Sequence, residues 1–227
     1  MQTVSPRRGG AAIIACLIAL LIAASLVAIA PQPAHAASAN TKACKAYSKI
    51  LSKKTMKWGT GRTVSTKQLK FACQDINKDG VKDLVVYNPD AISWEGYYRI
   101  YTYKKGKAKL AGAFSSLRVC RNKNFFRDTR SYTGGATVYG YYRLGKNGKI
   151  KELASYATQS MDEPDAKIAK VKWASGDVPV YYYDCKVNGK SASYSKCMAK
   201  IKSLKKGSKD TLKYRTNTAK NRAKYLK

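Results

Sequence analysis

The chain has a single histidine, His35, and it lies near the N-terminus. Everything after it lacks the imidazole that a Ser–His–Asp triad or a His-ligated metal would need. Acid is scarce too: 13 Asp and Glu stand against 44 Lys and Arg, and none of the 13 precedes residue 74. Cysteines are few, and no two are close enough in sequence to suggest a zinc framework. After Ala30 no apolar run approaches the length of a membrane span. Phosphate-binding and dinucleotide-binding glycine patterns are missing, and no fixed-period repeat is visible.

What is present begins with an export pattern. Arg7 and Arg8 precede an uncharged apolar run from Ala11 to Ala30, followed by Pro31 and the small-residue sites Ala34 and Ala36. Residues 1–36 are therefore predicted to be a signal peptide and residues 37–227 one secreted domain. A second cut at Ala39 and an uncleaved membrane anchor are the alternatives. Cys16 lies inside the apolar run and no Cys follows a cut site, which argues against a lipid-anchored form.

The net charge is +31, and the leader holds only Arg7 and Arg8 of it. Such a field attracts polyanions, among them teichoic acid, sulfated glycans, anionic lipid and nucleic acid. The Lys is spread along the chain rather than gathered with Arg and aromatics into a patch. That pattern suits charge-led contact with anionic polymers better than specific nucleic-acid recognition. A solvated surface with no specific partner would look the same.

Thr41 to Lys54 has apolar residues at helical spacing, and Gly59 and Gly61 close that segment. Val64 to Leu69 reads as a connector. Phe71–Ile76 and Leu84–Tyr87 read as strands, followed by hairpins through Tyr97–Tyr103, Ala108–Ser115, Leu117–Arg121, Ala136–Leu144 and Lys149–Ala157. Asn147-Gly148 is a favoured hairpin turn. Ile168–Trp173 and Val180–Val187 are two more strands, and helices are expected over Ser193–Leu204 and Asn217–Leu226. The fold class is α+β: a mainly antiparallel β meander or sheet, with an N-terminal helix and two C-terminal helices.

One stretch carries metal-ligand spacing. Asp75, Asn77, Asp79 and Asp83 occupy positions 1, 3, 5 and 9 of a loop, Gly80 sits at position 6, and Val81 offers its carbonyl at position 7. Alternate residues of a curled loop point inward, so these oxygens could surround one hard cation. Position 12 is Val86 rather than a bidentate Glu, and both flanks are β-rich, so the pattern is a strand–loop–strand site and not an EF-hand. Lys78 and Lys82 fall at non-ligand positions and weaken the site's field. The expected cofactor is calcium, bound weakly, at roughly 10⁻⁴ to 10⁻³ M. Asp, Asn and Gly also make good turns without any metal.

The segment Phe71–Tyr87 resembles the calcium loop of the FG-GAP/VCBS class, in which D-x-(D/N)-x-D-G-x-x-(D/E)-L lies between strands. The wider layout resembles small secreted Gram-positive proteins with one such loop and a closing Asn-Thr-x-x-Asn-Arg-x-x-Tyr-Leu helix, here Asn217-Thr218, Asn221-Arg222 and Tyr225-Leu226. The resemblance implies calcium on Asp75, Asn77, Asp79, Asp83 and the Val81 carbonyl, export to the medium or cell surface, and no catalysis. A single loop argues against the adhesion role of multi-repeat members.

Two further features compete for attention. Glu95 beside Trp94, and Asp162, Glu163 and Asp165, are the carboxylates a secreted glycan hydrolase could use. Beyond the leader the cysteines are Cys44, Cys73, Cys120, Cys185 and Cys197. Export makes disulfides plausible. Cys185 with Cys197, across the Val187–Lys190 turn, is the best local pair. Cys73 and Cys120 are the other candidates, and spacing leaves the connectivity open.

Overall fold

The computed structural model describes residues 33–92, 95–132, 136–158, 167–173 and 176–227, with the backbone alone over 33–37, 167–173 and 176–182. Two compact units divide the chain, Met1–Ala37 and Ser38–Lys227. The second carries the fold, and the account below concerns it. Among the described residues no helix is long and apolar enough to cross a membrane.

Helix α1 (Pro33–Leu51) is followed by a hairpin of β1 (Thr55–Trp58) and β2 (Arg62–Ser65). Then come β3 (Lys70–Gln74), β4 (Asp83–Tyr87), β5 (Tyr98–Lys104) and β6 (Lys107–Phe114). The next run is β7 (Arg118–Cys120), β8 (Phe125–Ser131), β9 (Thr137–Leu144), β10 (Ile150–Thr158), β11 (Lys167–Trp173), β12 (Gly176–Val187) and β13 (Lys190–Ser191). Helix α2 (Tyr194–Lys205), β14 (Arg215–Thr216) and α3 (Ala219–Tyr225) complete the order. Antiparallel pairing builds one sheet in the order β14-β3-β4-β5-β6 and another in the order β11-β12-β10-β9-β8-β7, with β13 beside β12. The molecule is thus α+β and rich in antiparallel strand, with one helix ahead of the sheets and two near the end.

Strand alternation sorts the apolar residues into layers. Phe71, Leu84, Val86 and Tyr101 turn to one face of the first sheet, where they bury Ala43, Tyr47 and Leu51 of α1. Their neighbours Ala72, Val85 and Ile100 turn to the opposite face and meet Phe126 and Leu144 of the second sheet. That sheet's far face sends Phe125, Tyr141 and Ala154 against Cys197 and Ile201 of α2. The result is helix, sheet, sheet, helix. β4 lies between the helix layer and the second sheet and is buried on both faces, which accounts for the run Leu84-Val-Val86.

Several expectations are corrected here. The N-terminal helix ends at Leu51 rather than Lys54, and Thr55–Ser65 forms a hairpin whose turn uses Gly59 (φ +61°) and Gly61 (φ +80°). Val64 belongs to its second strand rather than to a connector. The glycines do not close a helix; they allow a turn that L-residues rarely adopt. Strand β8 is also present where no strand is expected, paired to β9 from Phe126–Tyr142 to Ser131–Thr137.

Candidate metal centre

β3 and β4 pair antiparallel, with Gln74 opposite Asp83, so the loop between them leaves and re-enters one sheet. The expected strand–loop–strand arrangement is what this register produces. The loop is wound on its own carboxylates. Asp75 Oδ1 accepts from the Asp79 N–H (3.2 Å) and Oδ2 from the Gly80 N–H (3.1 Å). Asn77 Oδ1 also accepts from Asp79 N–H (3.1 Å), and Asp79 Oδ1 accepts from Val81 N–H (3.0 Å). These Asx contacts satisfy backbone donors that no ladder can reach. Lys78 (φ +57°) and Gly80 (φ +86°) take the left-handed backbone that the winding requires.

Asp83 and Asn77 are buried, each about 1% exposed. Asp83 Oδ2 accepts from Ile76 N–H at 3.0 Å, and the Asn77 amide donates to Asp79 Oδ2 (3.1 Å) and the Gly145 carbonyl (3.3 Å). Burial pushes the Asp83 carboxyl up to about 7. Hydrogen bonds from Ile76 and Thr102 oppose that rise, and the charges of Asp79 and Asp75 add to it. Three carboxylates therefore share one field.

The surroundings contain features that spacing did not disclose. Lys104 of β5 places its ammonium 2.7 Å from Asp79 Oδ2, and Arg121 lies 3.9 Å from Asp75 Oδ2 while donating to the Asp75 carbonyl at 3.0 Å. Lys78 and Lys82, the basic residues within the loop, reach instead toward the carbonyls of Asn122 (3.5 Å) and Lys227 (3.3 Å). From α1, Asn40 accepts from Lys82 N–H (2.7 Å) and donates to the Gly80 carbonyl (2.9 Å), and the Tyr47 hydroxyl donates to the Lys82 carbonyl (2.9 Å). Burial, and next the Asp83 charge, raise the Tyr47 phenol.

The donor chemistry fits a hard cation. The set is all oxygen, and every carboxylate keeps acceptor capacity beyond the N–H groups it serves. Among the described residues no group of three or more His, Cys, Asp and Glu side chains forms a metal-holding cluster. Asp75, Asp79 and Asp83 are thus not gathered into such a group here; the loop offers them together with the Asn77 amide and the Val81 carbonyl.

Of the hydrolase candidates only Glu95 lies among the described residues. Glu95 is buried, paired with Arg62 at 3.2 Å, and its carboxyl lies where a side chain on Gly59 would sit. Trp94, Asp162, Glu163 and Asp165 fall outside the described residues.

Where β14 borders β3, and reaching Lys82 of the loop, a cleft of about 410 Å³ is lined by Lys82, Lys213, Arg215, Lys224 and Lys227 and by no Asp or Glu. The Arg215 guanidinium lies over the Tyr225 ring at 5.0 Å and Lys224 at 5.5 Å. The Arg215 hydrogen bond and the Lys224 charge lower the Tyr225 phenol.

None of the five described cysteines is cross-linked in this structure. Cys185 is the neighbour of Cys197, as the turn between them suggests. Cys73 does not face Cys120. It packs in the same core cluster as Cys44, whose thiol influences its own, and Cys120 shares a separate cleft with Ser208. The pairing of Cys73 depends on how α1 crosses β3, which no local pattern reveals. Compared with known proteins, the chain matches no family model, no curated protein and no solved structure.

Proposed function

We propose that the chain is a secreted, non-enzymatic calcium-binding module that contacts anionic cell-surface polymers. The observation that carries the calcium reading is Asp83, a buried carboxyl raised further by Asp75 and Asp79. A buried group in a like-charged field is stabilised by any cation that can enter. Asp75, Asn77, Asp79, Asp83 and the Val81 carbonyl would hold it. When bound, calcium supplies charge neutralisation and ties the two ends of the loop together. The resemblance to FG-GAP/VCBS loops supports the same assignment. The polymer reading is supported by the acid-free cleft beside the loop, and secretion by the N-terminal export pattern.

The test is thermal unfolding with calcium or with chelator. Wild type is expected to unfold at a higher temperature in calcium, and the Asp75→Ala/Asp79→Ala variant to show no response. An equal response in both would overturn the assignment.

A further inference from the structure

We propose that the chain carries two disulfides, Cys44–Cys73 and Cys185–Cys197, with Cys120 left as an unbridged thiol. Cys44 projects from α1 and Cys73 from β3, and both pack in the core between that helix and the first sheet. Their thiols are near enough for each to shift the other's ionisation. Cys44 also donates to the Lys227 carbonyl at 3.2 Å. The second pair has the same form at the other side of the molecule. Cys185 lies two residues before the end of β12, the chain turns back through β13, and Ala192 N–H donates to the Cys185 carbonyl at 2.9 Å. That turn brings Cys197, in the first turn of α2, against Cys185, with its thiol also near the Ser155 (3.3 Å) and Lys186 (3.6 Å) carbonyls.

Cys120 is set apart from both pairs. It lines a separate cleft with Arg118, Arg127, Lys205 and Asp210, where the Ser208 hydroxyl is its polar neighbour. Five thiols distributed at random over a core would not leave this pattern. Two neighbouring pairs and one single residue with a hydroxyl neighbour is what two bridges and one leftover thiol require.

The chemistry is thiol–disulfide exchange with a disulfide oxidant such as glutathione disulfide. A thiolate of the pair attacks the oxidant's S–S bond and releases one thiol. The second cysteine then attacks the mixed disulfide, forms the protein S–S bond and releases the other thiol. Each bridge gives up two electrons and two protons, which reduce one oxidant molecule. Cys44 is about 1% exposed in the folded chain, so exchange takes place while the core is open.

The test uses the full chain, reduced and refolded with glutathione disulfide. Maleimide is then added in denaturant without reductant, and the protein is digested and mapped by mass spectrometry. The expected map joins the Cys44 peptide to Cys73 and the Cys185 peptide to Cys197, with label on Cys120. Label on Cys44 or Cys73, or a peptide joining Cys73 to Cys120, would overturn the pairing. The Cys44→Ser variant adds a second reading. Cys73 is expected to become labelled while Cys185–Cys197 stays closed. Should that variant fail to fold, the wild-type map decides alone.

Discussion

At the scale of single residues, the loop turns on the balance between Asp83 and its neighbours. Its folded-state value, about 7, lies above the value of a carboxyl in an unfolded chain. Between those values the native state binds more protons than the unfolded state, so stability falls as pH rises through that interval. Denaturation of the wild type in chelator is expected to show a loss on the order of a few kcal/mol between about pH 4 and pH 7. Asp83→Asn should flatten that slope; an unchanged slope would place the titration elsewhere. Lys104 bears on the same balance from outside the loop. Its ammonium, 2.7 Å from Asp79, neutralises charge that calcium would otherwise meet. The two side chains are 28% and 11% exposed, so the pair is only partly screened, and Lys104→Gln is expected to tighten calcium binding by at least about two- to fivefold in calorimetric titration. Weaker binding in that variant would mean that Lys104 shapes the loop rather than competes in it.

Elements hold the loop in place from three directions, and a buried amide links two of them. Asn217, just before α3, donates from Nδ2 to the carbonyls of Leu51, at the end of α1, and Thr66, both at 2.8 Å. Its Oδ1 accepts from Arg222 at 2.9 Å, and its N–H donates to the Leu69 carbonyl at 2.9 Å. It therefore satisfies a helix-end carbonyl that the helix cannot pair itself. Asn217→Ala leaves two buried acceptors without a donor and is expected to cost about 2–4 kcal/mol in denaturant unfolding. A loss below about 1 kcal/mol would show that water replaces the amide. Such elements also mark what sequence can disclose. The β3–loop–β4 unit and the hairpin at Gly145–Gly148 were legible because their signals are local: turn residues at fixed offsets and a period of two beside them. Strand β8 was not, since Phe125-Phe126 is followed by Arg, Asp, Thr and Arg, and its identity comes from pairing with β9. Asn40, Lys104 and Arg121 were likewise invisible around the loop, because each arrives from a different element. The Cys185–Cys197 pair, separated by one turn, was legible; Cys44 with Cys73 required the crossing of α1 over the first sheet.

For the whole molecule the dominant quantity is charge, and the question is whether the cleft concentrates it. A net charge of +31 draws any polyanion, so binding to a glycerol-phosphate polymer and its decline with salt are both expected of the bulk field. The cleft makes a narrower claim. Lys213, Arg215 and Lys224 converge on one concave surface without an opposing carboxylate, and Tyr225 holds Arg215 from below. Lys42, Lys45 and Lys49 supply the same charge from the exposed face of α1, in a shallow and open setting. Neutralising either trio to Gln removes the same total charge, so a purely diffuse field would weaken both variants equally. Contacts near an anionic surface are worth about 1 kcal/mol per cation, which makes a loss of about tenfold or more reasonable for the cleft trio. The α1 trio is expected to lose only a few-fold at the same ionic strength. The cleft variant should also show the shallower slope of log affinity against log salt, because it releases fewer counterions on binding. Equal losses and equal slopes in the two variants would assign the attraction to the surface as a whole and leave the cleft without a role in it.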